Sequence, residues 1–115
     1  NAAGVSEAKI DDNVTVKFFQ GGASTAPAYY TSGEAVRLYQ NGAYMTVSAN
    51  GKTIKSMEIT FANNMYYVAA DSGELTEEAA TRTWTGDATE VKITCTGTDK
   101  QHRAYISAIK VTYVD

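Results

Sequence analysis

The sequence predicts an all-β domain of eight or nine short antiparallel strands, folded as a sandwich or barrel. Three observations carry this. Short stretches alternate apolar and polar residues with the period of two that a half-buried strand requires. Turn-forming pairs, above all Asn41-Gly42 and Asn50-Gly51, punctuate the chain at short intervals. Composition agrees: fifteen Thr and eight Tyr against one Pro suit a pleated, half-wet surface. No βαβ alternation, sequence repeat or low-complexity tract is present.

Residues 1–13 are small and polar, without a clear period. Residues 14–19 (VTVKFF) read as the first strand, and the breaker-rich 20–28 (QGGASTAPA) as a loop. Tyr29-Tyr30 and a Thr-Ser-Gly turn follow. Residues 35–40 form a strand with Val36 and Leu38 on one face, Arg37 and Tyr39 on the other. Asn41-Gly42 is the strongest hairpin signal, since both residues tolerate positive φ. The returning strand is 43–49, with Met45 and Val47 inward, and Asn50-Gly51 makes a second such turn.

Residues 52–62 read as a strand in which Met57, Ile59 and Phe61 alternate with Glu58 and Thr60. Asn63-Asn64 breaks it, and 65–69 is a short strand. Residues 74–80 (ELTEEAA) are the one stretch with helical character, although a lone helix of that length is marginal in water. Residues 81–85 and 89–96 are strands, the second with Val91, Ile93 and Cys95 on one face. The last strand is 103–114. Ile109, Val111 and Tyr113 alternate there while Ile106 is out of phase, which predicts a bulge near Ser107-Ala108.

A chain of 115 residues and 12.4 kDa suits one domain. Folded, it should expose roughly 6,100 Å² against roughly 18,000 Å² unfolded, enough burial for a core without staples. The net charge of −3 lacks the basic patch of a nucleic-acid binder. No stretch is long and apolar enough to insert in a membrane. The chain opens at Asn1 without Met, which fits a piece cut from a longer polypeptide.

Catalytic chemistry lacks its usual parts. One histidine, His102, lies in a polar turn beside Lys100 and Arg103, and reads as solvated surface. One cysteine, Cys95, falls on an apolar strand face and reads as an inert thiol that can form no intrachain disulfide. Together they make no zinc set. The carboxylate pairs Asp11-Asp12 and Glu77-Glu78 face no evident partner acid across a sugar. The expectation is a non-enzyme without a resident cofactor; polar loops leave room for a structural calcium that nothing specifies.

The aromatics point elsewhere. Tyr29, Tyr30, Tyr39, Tyr44, Tyr66, Tyr67 and Trp84 fall on polar faces or loop edges. Sugar rings present C–H faces that stack on such rings, while Arg37, Gln40, Asn64, Asp71 and Arg103 can take hydroxyls. The expected ligand-binding set is Tyr29, Tyr30, Arg37, Tyr39, Tyr66, Tyr67, Trp84 and Arg103, with a polysaccharide as partner. A competing expectation places Trp84 in the core or rim and pairs Arg37 with Tyr39 as cation and ring.

The stretches 26–61 (APAYYTSGEAVRLYQNGAYMTVSANGKTIKSMEITF), 83–97 (TWTGDATEVKITCTG) and 103–115 (RAYISAIKVTYVD) resemble a β-sandwich accessory domain of large exported proteins from gut Bacteroidetes and Clostridia. The resemblance covers about residues 14–114. It implies a jelly-roll-like sandwich similar to carbohydrate-binding modules, an extracellular or cell-surface setting, neighbouring domains in the parent chain, and no catalytic residues. The expected function is a non-catalytic carbohydrate-binding accessory module. The alternative is a structural or protein-interaction unit, a spacer or adhesin domain of a cell-surface protein.

Overall fold

The computed structural model describes residues 2–4, 6–31, 34–78 and 80–114. These hold β1 (Ala2–Gly4), β2 (Glu7–Lys9), β3 (Thr15–Phe19), β4 (Ala28–Tyr30), β5 (Ala35–Leu38), β6 (Tyr44–Ser48), β7 (Thr53–Tyr66), β8 (Val68–Ala70), β9 (Glu74–Glu78), β10 (Thr81–Ala88), β11 (Glu90–Cys95) and β12 (Ala104–Val114). All pairings are antiparallel. One sheet has the order β1-β4-β5-β12-β7-β10-β9, the other β2-β3-β6-β11-β8. The strand count exceeds the expected eight or nine because short edge strands carry too few residues to show a period. β1 and β2 lie in the stretch that reads as featureless.

The pairings β5·β12, β6·β11 and β7·β10 are those of one long ribbon folded back on itself, with β8 meeting β9 at its tip. Successive pairs fall in alternate sheets, so the ribbon rolls up into a jelly roll. Inward residues of both sheets close the core: Val16, Met45, Val47, Val91 and Ile93 from one, Leu38, Ile54, Met57, Ile59 and Ile106 from the other. The total exposed area is 6002 Å², close to the value expected for this mass.

The Asn-Gly turns have the expected conformation and a different job. Asn41 and Gly42 have φ of 74° and 110°, Asn50 and Gly51 of 54° and 88°. Each carries the chain from one sheet to the other instead of closing a hairpin. β5 ends at Leu38, and the Asn41 N–H donates to the Gly97 carbonyl (2.9 Å), so the turn is tied to the β11–β12 connection. The hairpins are β2·β3, β4·β5 and β9·β10.

Two other expectations change. Residues 74–78 are a strand because Leu75 and its neighbours pair with β10, which supplies hydrogen bonds that a short isolated helix would lack. Asn63 and Asn64 bend β7 without ending it, both in the left-handed region (φ 56° and 57°) that Asn tolerates. Between the pairs Phe61↔Ile106 and Tyr66↔Ala104, residues 62–65 stand opposite Tyr105 alone. The expected bulge in the last strand is present, as a register shift between Ile106 and Ala108.

Trp84 belongs to the core and not to a sugar-stacking surface. It is fully buried, and its Nε1–H donates to the Ser72 carbonyl at 2.6 Å. Met57 and Leu75 flank it across the sheet. The indole fills a slot that two glycines leave open: a Cβ on Gly73 would stand 2.7 Å from Cε2, and one on Gly86 2.9 Å from Cζ2. Gly73 also has φ +69°. Trp84→Ala should therefore cost about 3–5 kcal/mol through the cavity it leaves, read as a lower urea midpoint with an unchanged slope.

Candidate functional site

On the outer face of the seven-stranded sheet, Arg37 on β5 stands opposite Tyr105 on β12. The Arg37 guanidinium carbon lies 3.7 Å from the Tyr30 ring centroid and 4.5 Å from that of Tyr105. The Tyr30 and Tyr39 hydroxyls are 2.8 Å apart. Arg103 covers the Tyr39 ring at 4.7 Å, donates from Nε to Gln40 Oε1 at 2.7 Å, and from Nη1 to the Tyr105 hydroxyl at 3.4 Å. Tyr30, Arg37, Tyr39 and Arg103 of the expected set are thus brought together, but each is engaged by the others. Tyr39 is only 5% exposed. It pairs with Arg103, while Arg37 takes Tyr30 and Tyr105.

The second group is also self-engaged. Arg82 lies over Tyr66 at 4.2 Å, the Tyr66 and Tyr67 rings are 5.2 Å apart, and Tyr67 meets His102 edge-on at 4.7 Å. His102 Nδ1 is 2.7 Å from Asp99 Oδ1. That contact, with the Gln101 N–H, holds the Asp99 carboxyl below its ordinary pKa. Arg82 itself is buried on the core side of β10 beside Trp84, a placement its charge conceals in the sequence. Asp71 serves the backbone, accepting from the Lys92 N–H at 2.9 Å. Asn64 lies exposed in the β7 bend, and Tyr29 is exposed on the strand face opposite Tyr30. Cys95 is buried, and desolvation pushes its thiol pKa up. Among the described residues, no three of His, Cys, Asp and Glu gather into a metal-binding group.

The outer face of the five-stranded sheet is built differently. Its register sets Phe19 opposite Tyr44 and Thr94 in one cross-strand row. The next row is Glu7, Lys17, Thr46 and Lys92, and the third is Lys9, Thr15, Ser48 and Glu90. Phe19 and Tyr44 stack with centroids 4.8 Å apart and planes 18° from parallel. Lys92 Nζ is 4.3 Å from the Tyr44 centroid. Phe19 remains 37% exposed. The loop after β3 walls this end: Gly21 has φ +56°, and a Cβ there would strike the Gly42 carbonyl and approach Tyr44 Cδ1 to 3.2 Å.

Farther along the same face, over the third row and the Glu7–Lys17 end of the second, lies an open pocket of about 380 Å³, lined by Glu7, Lys9, Asp12, Thr15, Lys17, Ser48, Asn50 and Glu90. Among the described residues, none of its lysines or carboxylates is in an ion pair. Ammonium donors, carboxylate acceptors and hydroxyls therefore face solvent on the same sheet face as the stacked rings. Sequence reasoning noticed Tyr44 and missed Lys17, Phe19, Glu90 and Lys92. Their signal is the outward phase of three alternating strands, which becomes a surface only once β3, β6 and β11 are known to be neighbours.

The aromatic–guanidinium cluster has a signature of its own. Burial above all, then the Tyr30 hydrogen bond, raises the Tyr39 pKa to about 12, above the value of about 10 of an unfolded tyrosine. The fold prefers the protonated phenol, so this stabilisation is complete below pH about 10 and is lost as pH rises through about 12. Tyrosinate absorbance should still be rising near pH 12, and Tyr39→Phe should remove that late component and flatten the alkaline loss of stability. No protein-family model, curated protein or solved structure matches the chain, so the surface itself carries the functional reading.

Proposed function

We propose that this domain is a non-catalytic carbohydrate-binding accessory module of an extracellular bacterial protein, and that it holds a polysaccharide on the outer face of the five-stranded sheet. The carrying observation is the exposed Phe19, stacked on Tyr44 on a face that also carries, farther along the strands, an open pocket whose lysines and carboxylates have no ion-pair partner among the described residues. An apolar ring beside hydroxyl, ammonium and carboxylate groups matches the two-sided chemistry of a sugar. The face is open along the strands, which suits a chain more than a small buried ligand.

The site differs from the set expected from sequence. Tyr30, Tyr39, Tyr66 and Tyr105 have faces covered by guanidinium groups, and Trp84 is inside the core. That cluster is the observation favouring the second reading, a structural or protein-interaction unit whose aromatics serve only packing.

Affinity electrophoresis through gels containing plant and host polysaccharides separates the two. Phe19→Ala should weaken retardation about tenfold, equivalent to about 1.4 kcal/mol, with an unchanged melting temperature. Arg37→Ala should lower stability by about 1–3 kcal/mol through lost packing and cation–π contact, and leave retardation intact. A folded wild-type sample that no polysaccharide retards would leave the structural reading in place.

A further inference from the structure

Resting on that reading, we infer that the polysaccharide is acidic, and that a uronic-acid carboxylate sits between Lys17 and Lys92 over Thr46. The register carries this. Lys17, Thr46 and Lys92 occupy one row across β3, β6 and β11, and their side chains emerge on the outer face. Adjacent strands are about 4.8 Å apart, so the two lysine backbones stand about 10 Å apart, room for one sugar ring between them. Both lysines are exposed, and Thr46 between them is half-buried. Lys17 has no ion-pair partner among the described residues, and Lys92 lies against the Tyr44 ring.

The acidic groups bound the position of the ligand's charge. Glu7 is outboard of Lys17 on the sheet edge, and Asp12 lines the pocket on the side of Lys17 away from the rings. Glu90 is one row away beside Ser48, and Asp71 is tied to the Lys92 backbone. A carboxylate on the ligand meets these groups unless it lies inboard, over Thr46, with Lys17 on the neighbouring strand to one side and Lys92 on the strand to the other. The aromatic row is two residues along the strands, about 6.7 Å away. A sugar stacked on Phe19 therefore sets its neighbour in the chain over the lysine row. Repeating uronate residues fit this spacing better than a lone anion, which would gain nothing from Phe19.

The test uses polygalacturonate, the same polymer with its carboxyls methyl-esterified, and an uncharged β-glucan. Wild type should bind polygalacturonate, and esterification should weaken binding tenfold or more. The double variant Lys17→Gln/Lys92→Gln should lose roughly fivefold to tenfold on polygalacturonate, as expected for two exposed ion pairs. Phe19→Ala should also weaken it, and added salt should weaken wild type more than the double variant. Thermal melts of both variants should match wild type. Equal or tighter binding to the esterified polymer or to β-glucan overturns the inference, as does a double variant with wild-type affinity for polygalacturonate. If that neutral binding is lost in Phe19→Ala, the carbohydrate-binding reading stands while the acidic ligand falls. No binding to any of the three overturns both.

Discussion

The dry contact between the two sheets holds this domain together. Its single cysteine is free and buried, so no disulfide braces the chain. The central strands of both sheets therefore have to deliver alternate side chains to one shared interior, and a slip by one residue would turn their apolar set to solvent. The long pairing of β7 with β12 fixes the middle of the larger sheet, and Trp84, held between Gly73 and Gly86, fills the interior beside it. Once the inward phase is set, the outward one follows, and Lys17, Phe19, Tyr44, Thr46 and Lys92 belong to that outward set.

The two outer faces use aromatic rings in opposite ways. On the larger sheet, Arg37 and Arg103 cover the faces of Tyr30, Tyr39 and Tyr105, and Arg103 also donates to the Gln40 side-chain carbonyl and the Tyr105 hydroxyl. This joins the rings into one network, in which the long arginine stems cover apolar surface and the charge is spread over π faces. On the smaller sheet, Phe19 stacks on Tyr44 and stays exposed, and among the described residues Glu7 and Lys17 have no ion-pair partner. A surface left unsatisfied in this way is where a partner gains most.

Much of the fold is legible in the sequence because a half-buried strand writes its alternation directly. Met45 and Val47, Met57 and Ile59, Val91 and Ile93 all point inward as their spacing predicts. What is illegible is which strand neighbours which. Asn41-Gly42 fixes the backbone of a turn, but the partners of β5 and β6 are chosen by contacts far along the chain, so the same signal marks a crossing between sheets. The site suffered for the same reason. Polar neighbours in sequence cannot tell Trp84 in a glycine slot from Phe19 on an open face. Arg82 misleads in the same sense, since its charge hides its inward phase.

The rolled ribbon also has a consequence for how the domain comes into being. β12 is the last strand in sequence, yet it lies between β5 and β7 in the heart of the larger sheet. While a chain is being synthesised, β5 and β7 each present an open edge until that final strand is delivered. Those edges are apolar on one side and hungry for hydrogen bonds, the condition under which neighbouring nascent chains join. Few local hairpins help, because the main pairings join residues distant in sequence, and such topologies fold slowly. The window between translation and closure is thus the most vulnerable time in the life of this domain.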